Sequence, residues 1–460
     1  MKGAKCFVWL SLVALFAGVM LLAGCQSPGN RSGQAAPPEA GKTNANGVSV
    51  LRAGSNEVQF AVLSDLHFNP FLCRNRAYTN LAVKPSEVSW PDTFAAYEAG
   101  ADASLDHPGQ DASFGLIQQA LRNLTNRCAT PAFVLCTGDY YAHDMQRDSA
   151  LSADSECFAE YRTNEQVREN YVVNSEALVA QMLRQVGLTN VFPTLGNNDS
   201  VGDYIAPGTD FLRAFADGWS ACTPPGLLGS EFEQLGCFAA SAPGLTDCRI
   251  LAFNTSLFSS IGAETEDSRR AIRWLADELA TNHDPAILLF HIPPGLNYYS
   301  VGDSFWHPDL QRSFLALLAT RHDEIIGSFC SHTHNDEFRL VYARDQPVQF
   351  IHLSPSISPV HGNSPAYQIF TATRSGEILN YATFYLAGFP GPRESWQPEY
   401  VFSSLTNAYN AATLAGLFFS DDSGKTRDAF HARYYAPGEV SSNYFPPGYW
   451  RTARLDAPVP

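Results

Sequence analysis

The stretch Val58-Gln59-Phe60-Ala61-Val62-Leu63-Ser64-Asp65-Leu66-His67 is an apolar run of strand length that stops at a carboxylate and an imidazole. The same grammar recurs downstream: a short apolar run, a turn loaded with Asp, Asn or His, then an amphipathic stretch. It predicts strands over 58–63, 132–136, 190–195, 250–253, 286–290 and 325–329. Between them, apolar residues at helical spacing predict helices over 114–126, 165–185 and 267–279, where Ile272, Leu275 and Leu279 make one stripe. Such alternation is α/β organisation. Runs at 338–342, 349–353, 367–371 and 381–385 follow one another without long helices and read as antiparallel strands of a second sheet. After the Pro- and Gly-rich stretch 388–392, helical segments are expected over 399–419 and 425–435. Residues 391–460 are therefore read as a C-terminal helical subdomain packed on a main body of 56–390.

Five polar clusters sit at the carboxyl ends of these strands, where open α/β sheets collect their active-site loops. They are Asp65-Leu66-His67, Gly138-Asp139 with His143, Gly196-Asn197-Asn198-Asp199, His291, and His332-Thr333-His334. Carboxylate, amide oxygen and imidazole together form a ligand set for two divalent ions. Asp139, presented by a Gly turn, suits a carboxylate shared between both. Two cations about 4 Å apart favour attack of a bridging hydroxide on phosphorus, so no serine or cysteine nucleophile is needed. Asp199 and Asp144 read as loop-capping groups rather than ligands. His107, His307 and His352 have no place in the ordered set and read as structural. Tyr140, Tyr141 and Asn254 are candidates for the cleft border.

The ordered set DxH, GDx3HD, GNxD, a lone His and HxH resembles the calcineurin-like metallophosphoesterases. His291-Ile292-Pro293-Pro294-Gly295, Ser331 to His334 running into Asp336-Glu337-Phe338, and Ser354 to Pro359 followed by Asn363 to Tyr367 look like the acid sphingomyelinase group of phosphodiesterases. The resemblance runs from about residue 58 to 384. It implies a two-layer β-sandwich flanked by helices, an α/β (α+β) fold. It also implies that Asp65, His67, Asp139 and His334 hold one ion and that Asp139, Asn197, His291 and His332 hold the other. Zinc is the metal of that group, although the ligand types alone also accept iron or manganese. One position departs from the pattern. Where the family places His after the metal-binding Asn, this chain has Asn198, and an amide cannot deliver a proton. His143 is then the expected general acid, with Asn198 orienting a phosphate oxygen and His361 close to a substrate loop.

The rest of the chain bounds the setting. With 45% hydrophobic and 17% charged residues in 460, it has ample core material, and 33 Gly with 29 Pro imply many loops. Thirty basic against 46 acidic side chains leave a charge of -16, which repels a nucleic-acid polymer. Lys2 and Lys5 precede an apolar run over 7–23, the pattern of a secretory signal. Its end, Leu22-Ala23-Gly24-Cys25, resembles the lipobox of bacterial lipoproteins, so residues 1–24 are expected to be removed and Cys25 lipidated. An uncleaved membrane anchor is the competing reading. Gln26 after the cysteine favours the outer over the inner membrane of a bacterial envelope. Residues 25–55, rich in Gly, Pro and Ser, read as a flexible tether. Cys73, Cys128, Cys136, Cys157, Cys222, Cys237, Cys248 and Cys330 are an even set, expected mostly to form disulfides in such a compartment. The expected whole is a monomeric, exported, lipid-anchored dinuclear metal phosphodiesterase. It would act on a sphingomyelin-type lipid or a nucleotide or head-group conjugate by attack of the metal-bridging hydroxide. A metal-bearing binding protein of weak catalysis, with Asn198 as the reason, is the alternative.

Overall fold

The computed structural model describes residues 54, 56–70, 72, 90–98, 106–143, 164–297, 303–391, 393–420 and 453–458. In chain order its strands are β1 (Glu57–Leu63), β2 (Val134–Cys136), β3 (Val191–Pro193), β4 (Phe238–Ser241), β5 (Arg249–Ala252), β6 (Ala286–Leu289) and β7 (Ile325–Cys330). Then come β8 (Glu337–Ala343), β9 (Gln346–Leu353), β10 (Ala366–Thr373), β11 (Ile378–Ala387), β12 (Ser395–Val401) and β13 (Arg454–Asp456). The α-helices are α1 (Trp90–Glu98), α2 (Phe114–Arg127), α3 (Glu165–Gln185), α4 (Thr209–Trp219), α5 (Ser230–Leu235), α6 (Glu266–Thr281), α7 (Pro308–Thr320) and α8 (Ala411–Ala415).

The strands make two sheets, ordered β12-β11-β10-β1-β2-β3 and β13-β8-β9-β7-β6-β5-β4. Strand alternation explains how they stack. In β6, Ile287 and Leu289 join Phe60, Val62 and Phe329 in one core, while Ala286 and Leu288 join Leu275 of α6 and Phe314 of α7 in a second. The Phe60 ring of β1 stacks on Phe370 of its own sheet at 5.1 Å and meets Phe329 of the other sheet edge-on at 5.7 Å. The first core thus lies between the sheets and the second lies beneath helices, the two-layer architecture that the sequence resemblance implies. Capping side chains start the helices: Ser113 accepts from the Leu116 N–H of α2, Asn164 from the Gln166 N–H of α3, and Thr265 with Ser268 forms a capping box on α6.

Parallel pairing of β1 with β2, β2 with β3, β5 with β6 and β6 with β7 brings the carboxyl ends of these strands to one edge of each sheet. The late strands do not form a sheet of their own. The antiparallel pair β8 and β9 extends the second sheet beside β7, and the antiparallel run of β10, β11 and β12 extends the first beside β1.

Further expectations need correction. The segment 399–419 is not helical throughout, because Glu399 to Val401 complete β12, which pairs with β11, and helix begins only after it. Residues 454–456 pair with β8, so the described parts of 391–460 add a strand to each sheet rather than forming only a helical subdomain. The segment 425–435 lies outside the described residues. The disulfide reading also fails: Cys128, Cys136, Cys222, Cys237, Cys248 and Cys330 are free and buried. They behave as small apolar side chains whose S–H groups find oxygens instead of sulfurs, Cys222 on the Trp219 carbonyl and Cys128 on Gln59 among them. Burial pushes the Cys222, Cys237 and Cys248 thiols up to about 12. Cys73, Cys157 and the whole leader with Cys25 lie outside the described residues. Among the described residues no helix is long and apolar enough to cross a membrane.

Candidate metal centre

Three loops of the first sheet and two of the second meet above the strand ends. Beyond β1 and β2 the chains continue side by side, with the Asp65 N–H donating to the Gly138 carbonyl and the His67 N–H to that of Asp139. The motif Ser354 to Pro359 stitches the two sheets' loops together. There the Ser358 N–H donates to the Asp65 carbonyl and the Ser356 N–H to that of His334. The backbone turns sharply at these points: Asp65, His67, Asp139, His332 and His334 all have φ between 41° and 73°. Left-handed backbone in residues with a Cβ costs about 1–2 kcal/mol each, so five in one site is strain concentrated where side chains must converge.

The side chains do converge. Nε2 of His67 lies 3.2 Å from Nε2 of His334, and Oδ1 of Asp65 is 3.5 Å from the latter. Oδ2 of Asp139 is 3.5 Å from Nε2 of His67 and 3.2 Å from Nε2 of His291, so Asp139 stands between two groups of nitrogens. Nε2 of His291 is also 3.1 Å from Oδ1 of Asn197. Donor atoms of Asp65, His67 and Asp139, and likewise of Asp139, His291 and His332, lie within 4.8 Å of one another.

Outer contacts fix these rings. His67 Nδ1–H donates to the Tyr141 carbonyl at 2.9 Å and His291 Nδ1–H to that of Thr137 at 2.8 Å, which leaves each Nε2 with its lone pair directed inward. Asn197 donates its Nδ2 to Asp203 at 2.7 Å, which turns its oxygen toward His291. Tyr204 reaches His332 Nε2 at 3.3 Å. Asp199 caps both turns: its oxygens accept from the backbone N–H of Asp139, Tyr140 and Gly196 at 2.7–2.8 Å. The loop-capping reading of Asp199 is what the geometry displays, and Asp144 lies outside the described residues.

The donors fit a pair of cations. Two imidazole lone pairs and a carboxylate oxygen pointed at one another repel unless positive charge stands among them. Oδ1 of Asp65 is buried with no N–H or O–H partner among the described residues. Burial pushes Asp65 up to about 7 and lowers His332 to about 3, and it drives His67 and His334 well below the usual imidazole range. Asp139 is the exception. Burial would raise it, but His291, His67 and the Asn198 N–H outweigh that and hold it below the carboxylate range. Asp139 is thus ionised among imidazoles of which His67, His332 and His334 are neutral. At His291 burial works against charge, yet Asp139 prevails and raises it to about 9, and that proton is one a bound cation would displace.

His143 lies beside this cluster, its ring 4.0 Å from that of His67, and its Nδ1 is held at 2.9 Å by Asp111. Burial works against its charge, yet Asp111 prevails and raises His143 to about 9. Asn198 was expected to orient a phosphate oxygen. In the structure it donates through its backbone N–H and its Nδ2 to the two oxygens of Asp139, each at 2.9 Å. The His361 ring is 4.4 Å from His334, on the same side as His143. His352 is buried between Gln368 and Tyr409, in keeping with its structural reading. Tyr140 is buried against Trp219, and Asn254, also buried, caps a short 3-10 turn through its side-chain oxygen. Sequence reasoning missed Asp111, Asp203 and Tyr204. The pair Asp203 and Tyr204, a few residues after Asn197, carried a local signal, whereas Asp111 carried none.

Residues 58–336 match the calcineurin-like phosphoesterase family. The chain is 25% identical over 424 residues to acid sphingomyelinase-like phosphodiesterase 3b of Mus musculus, covering 85% of each chain. It is 24% identical over 328 residues to sphingomyelinase phosphodiesterase D of Dictyostelium discoideum, covering 67% of this chain and 68% of that one. Among solved structures, a dimetal phosphatase of Danio rerio aligns with 11% identity and a TM-score of 0.40, over 74% of this chain and 95% of its own. The chain belongs to the calcineurin-like phosphoesterase family, in its acid sphingomyelinase-like phosphodiesterase group.

Proposed function

We propose that the chain is an exported, lipid-anchored phosphodiesterase that hydrolyses phosphodiesters or phosphoanhydrides at this centre. In this reading Asp65, His67, Asp139 and His334 hold one divalent cation and Asp139, Asn197, His291 and His332 hold the second, with zinc as the metal. The observation that carries it is the position of Asp139, ionised with its Oδ2 3.5 Å from Nε2 of His67 and 3.2 Å from Nε2 of His291, one nitrogen of each proposed ligand group. A bound cation pair supplies an activated water at neutral pH and positive charge for the phosphoryl oxygens.

The remaining work falls to the chain. Asp111 holds His143 charged and aims its ring at the His67 and His334 side of the centre, so a proton is available for a leaving alkoxide. Asn198 fixes the carboxylate plane of Asp139. The names of the relatives support a sphingomyelin-type lipid as substrate class; a soluble nucleotide or head-group conjugate stands beside it only as what the sequence resemblance implies. The signal pattern and Cys25 support export and lipid anchoring in a bacterial envelope.

The test is turnover of bis(p-nitrophenyl) phosphate by metal-replete protein against an Asp139→Asn control. Activity well above the control is expected. Equal rates would favour the second reading, a metal-bearing binding protein of weak catalysis, for which the engagement of Asn198 by Asp139 is the specific observation.

A further inference from the structure

Three side chains of the first sheet converge on one oxygen of a residue at the entry of β8, in the second. Oδ2 of Asp336 accepts from Nε2 of Gln368 at 3.0 Å, from Oγ1 of Thr383 at 3.0 Å and from the Tyr400 hydroxyl at 2.6 Å. The donors stand on the adjacent strands β10, β11 and β12. Each donor is itself held. Gln368 Oε1 accepts Nε2–H of His352 at 2.7 Å, and His352 Nδ1 accepts the Tyr409 hydroxyl at 2.9 Å. Thr383 Oγ1 accepts from Nε2 of Gln368 at 3.1 Å, and the Tyr400 hydroxyl accepts that of Tyr381 at 2.5 Å. All these groups are buried, among the rings of Phe338, Phe370 and Phe402. A hydrogen-bonded cluster in such a place rigidifies the core and favours one arrangement of the two sheets.

The segment that Asp336 ends is the loop of His332, Thr333 and His334. Its backbone is left-handed at both histidines, with φ of 73° and 63°, and such geometry persists only where the surroundings over-determine it. At the entry the Ser331 N–H donates to the His291 carbonyl, and at His334 the carbonyl accepts the Ser356 N–H. Asn335 Nδ2 closes the turn on the Thr333 carbonyl at 2.6 Å. Asp336, two residues after His334, adds the tie across to the first sheet.

We infer that Asp336 is a positioning residue: by accepting Gln368, Thr383 and Tyr400 it clamps the loop of His332 and His334 to the sheet whose loops carry Asp65, His67, Asp139 and Asn197, and so sets the spacing between the two halves of the metal centre. The inference rests on the proposed ligand roles of those residues, but Asp336 touches neither metal nor substrate. All three donors lie beyond residues 58–336, the span that matches the family. The late strands thereby take part in the centre without contributing a ligand.

Variants of the full chain test it. Asp336→Asn keeps an oxygen for the three donors and Asp336→Leu removes it. A double variant, Tyr400→Phe with Thr383→Val, takes away two donors and leaves Asp336 in place. Zinc titrated into metal-stripped protein is expected to bind Asp336→Leu and the double variant roughly 10–100-fold more weakly than the unaltered chain, with kcat lowered and KM little changed. Asp336→Asn is expected to keep zinc affinity and kcat within about threefold. In metal-free protein the backbone amides of residues 332–335 should exchange hydrogen faster in the double variant than in the unaltered chain. Unchanged zinc affinity and kcat in the double variant, even with a lower melting temperature, would overturn the inference. So would exchange no faster over 332–335, or an Asp336→Asn chain as impaired as the double variant. If Asp336→Leu does not fold, the double variant and the exchange rates still decide. An unaltered chain that binds no zinc would count against the metal reading, and the exchange rates would still judge the clamp.

Discussion

Gly138 and Gly196 meet back to back beneath Asp139, so closely that a Cβ on Gly138 would stand 2.6 Å from the backbone nitrogen of Gly196. Gly138 also has a φ of 100°, and a Cβ on Gly196 would collide with the Asp139 carboxylate. The two turns that carry Asp139 and Asn197 can approach only because neither has a side chain there. Gly138→Ala is therefore expected to lower stability by at least ~2 kcal/mol, from left-handed strain and overpacking together. It should also lower metal content. Urea unfolding with metal analysis of the same preparation checks both, and an unchanged midpoint would contradict the close approach.

The hydrogen bond from His143 to Asp111 predicts a pH effect with a definite sign. A general acid works only while protonated, so rate falls as pH rises through its pKa, which Asp111 raises to about 9. Asp111→Asn removes the charge and should move the alkaline limb of the kcat profile to lower pH. A limb that stays in place would remove Asp111 from this role.

His143→Ala should cut turnover of diesters with poor leaving groups by about 10²-fold or more and of nitrophenyl diesters far less, because nitrophenolate leaves without a proton. Equal losses on both substrates would take the acid role away from His143.

Asp203 holds the Nδ2 of Asn197 and so turns its oxygen inward. Asp203→Ala lets that amide rotate. Metal affinity is expected to fall roughly 10–100-fold, as for other groups that orient a ligand. Isothermal titration of metal-stripped protein measures it, and wild-type affinity in the variant would show that Asn197 needs no such support.

Free buried thiols make a simple chemical prediction. Cys128, Cys136, Cys222, Cys237, Cys248 and Cys330 should resist alkylation in the native protein and react after unfolding without any reductant. Peptide mapping that finds one of them already joined to another cysteine would contradict the structure at that position.

What the sequence announced were the features that local pattern controls. Phe60, Val62 and the carboxylate at the end of β1 were legible, as was α3, whose observed span Glu165–Gln185 matches the expected one. Helix α7 was missed although Pro308 at its start and Leu310, Phe314 and Leu318 at helical spacing mark it. The three-residue β13 has no such signal, because its identity as a strand comes from pairing with β8. The same holds for the division of the late strands: nothing in 367–371 says that this strand lies beside β1 rather than β9. At the site, the ligand types were visible in order along the chain. The partners that aim them were not, since Asp111 lies 32 residues from His143 and their pairing is a property of the folded loops.

In the proposed centre Asp139 is shared by two cations. Elemental analysis of purified full-length chain and of Asp139→Asn, with diesterase activity assayed on the same samples, tests it most directly. Two divalent transition-metal ions per chain are expected, falling to one or none in the variant together with activity. A chain that hydrolyses diesters with no such metal bound, or an Asp139→Asn protein that keeps both ions, would contradict it.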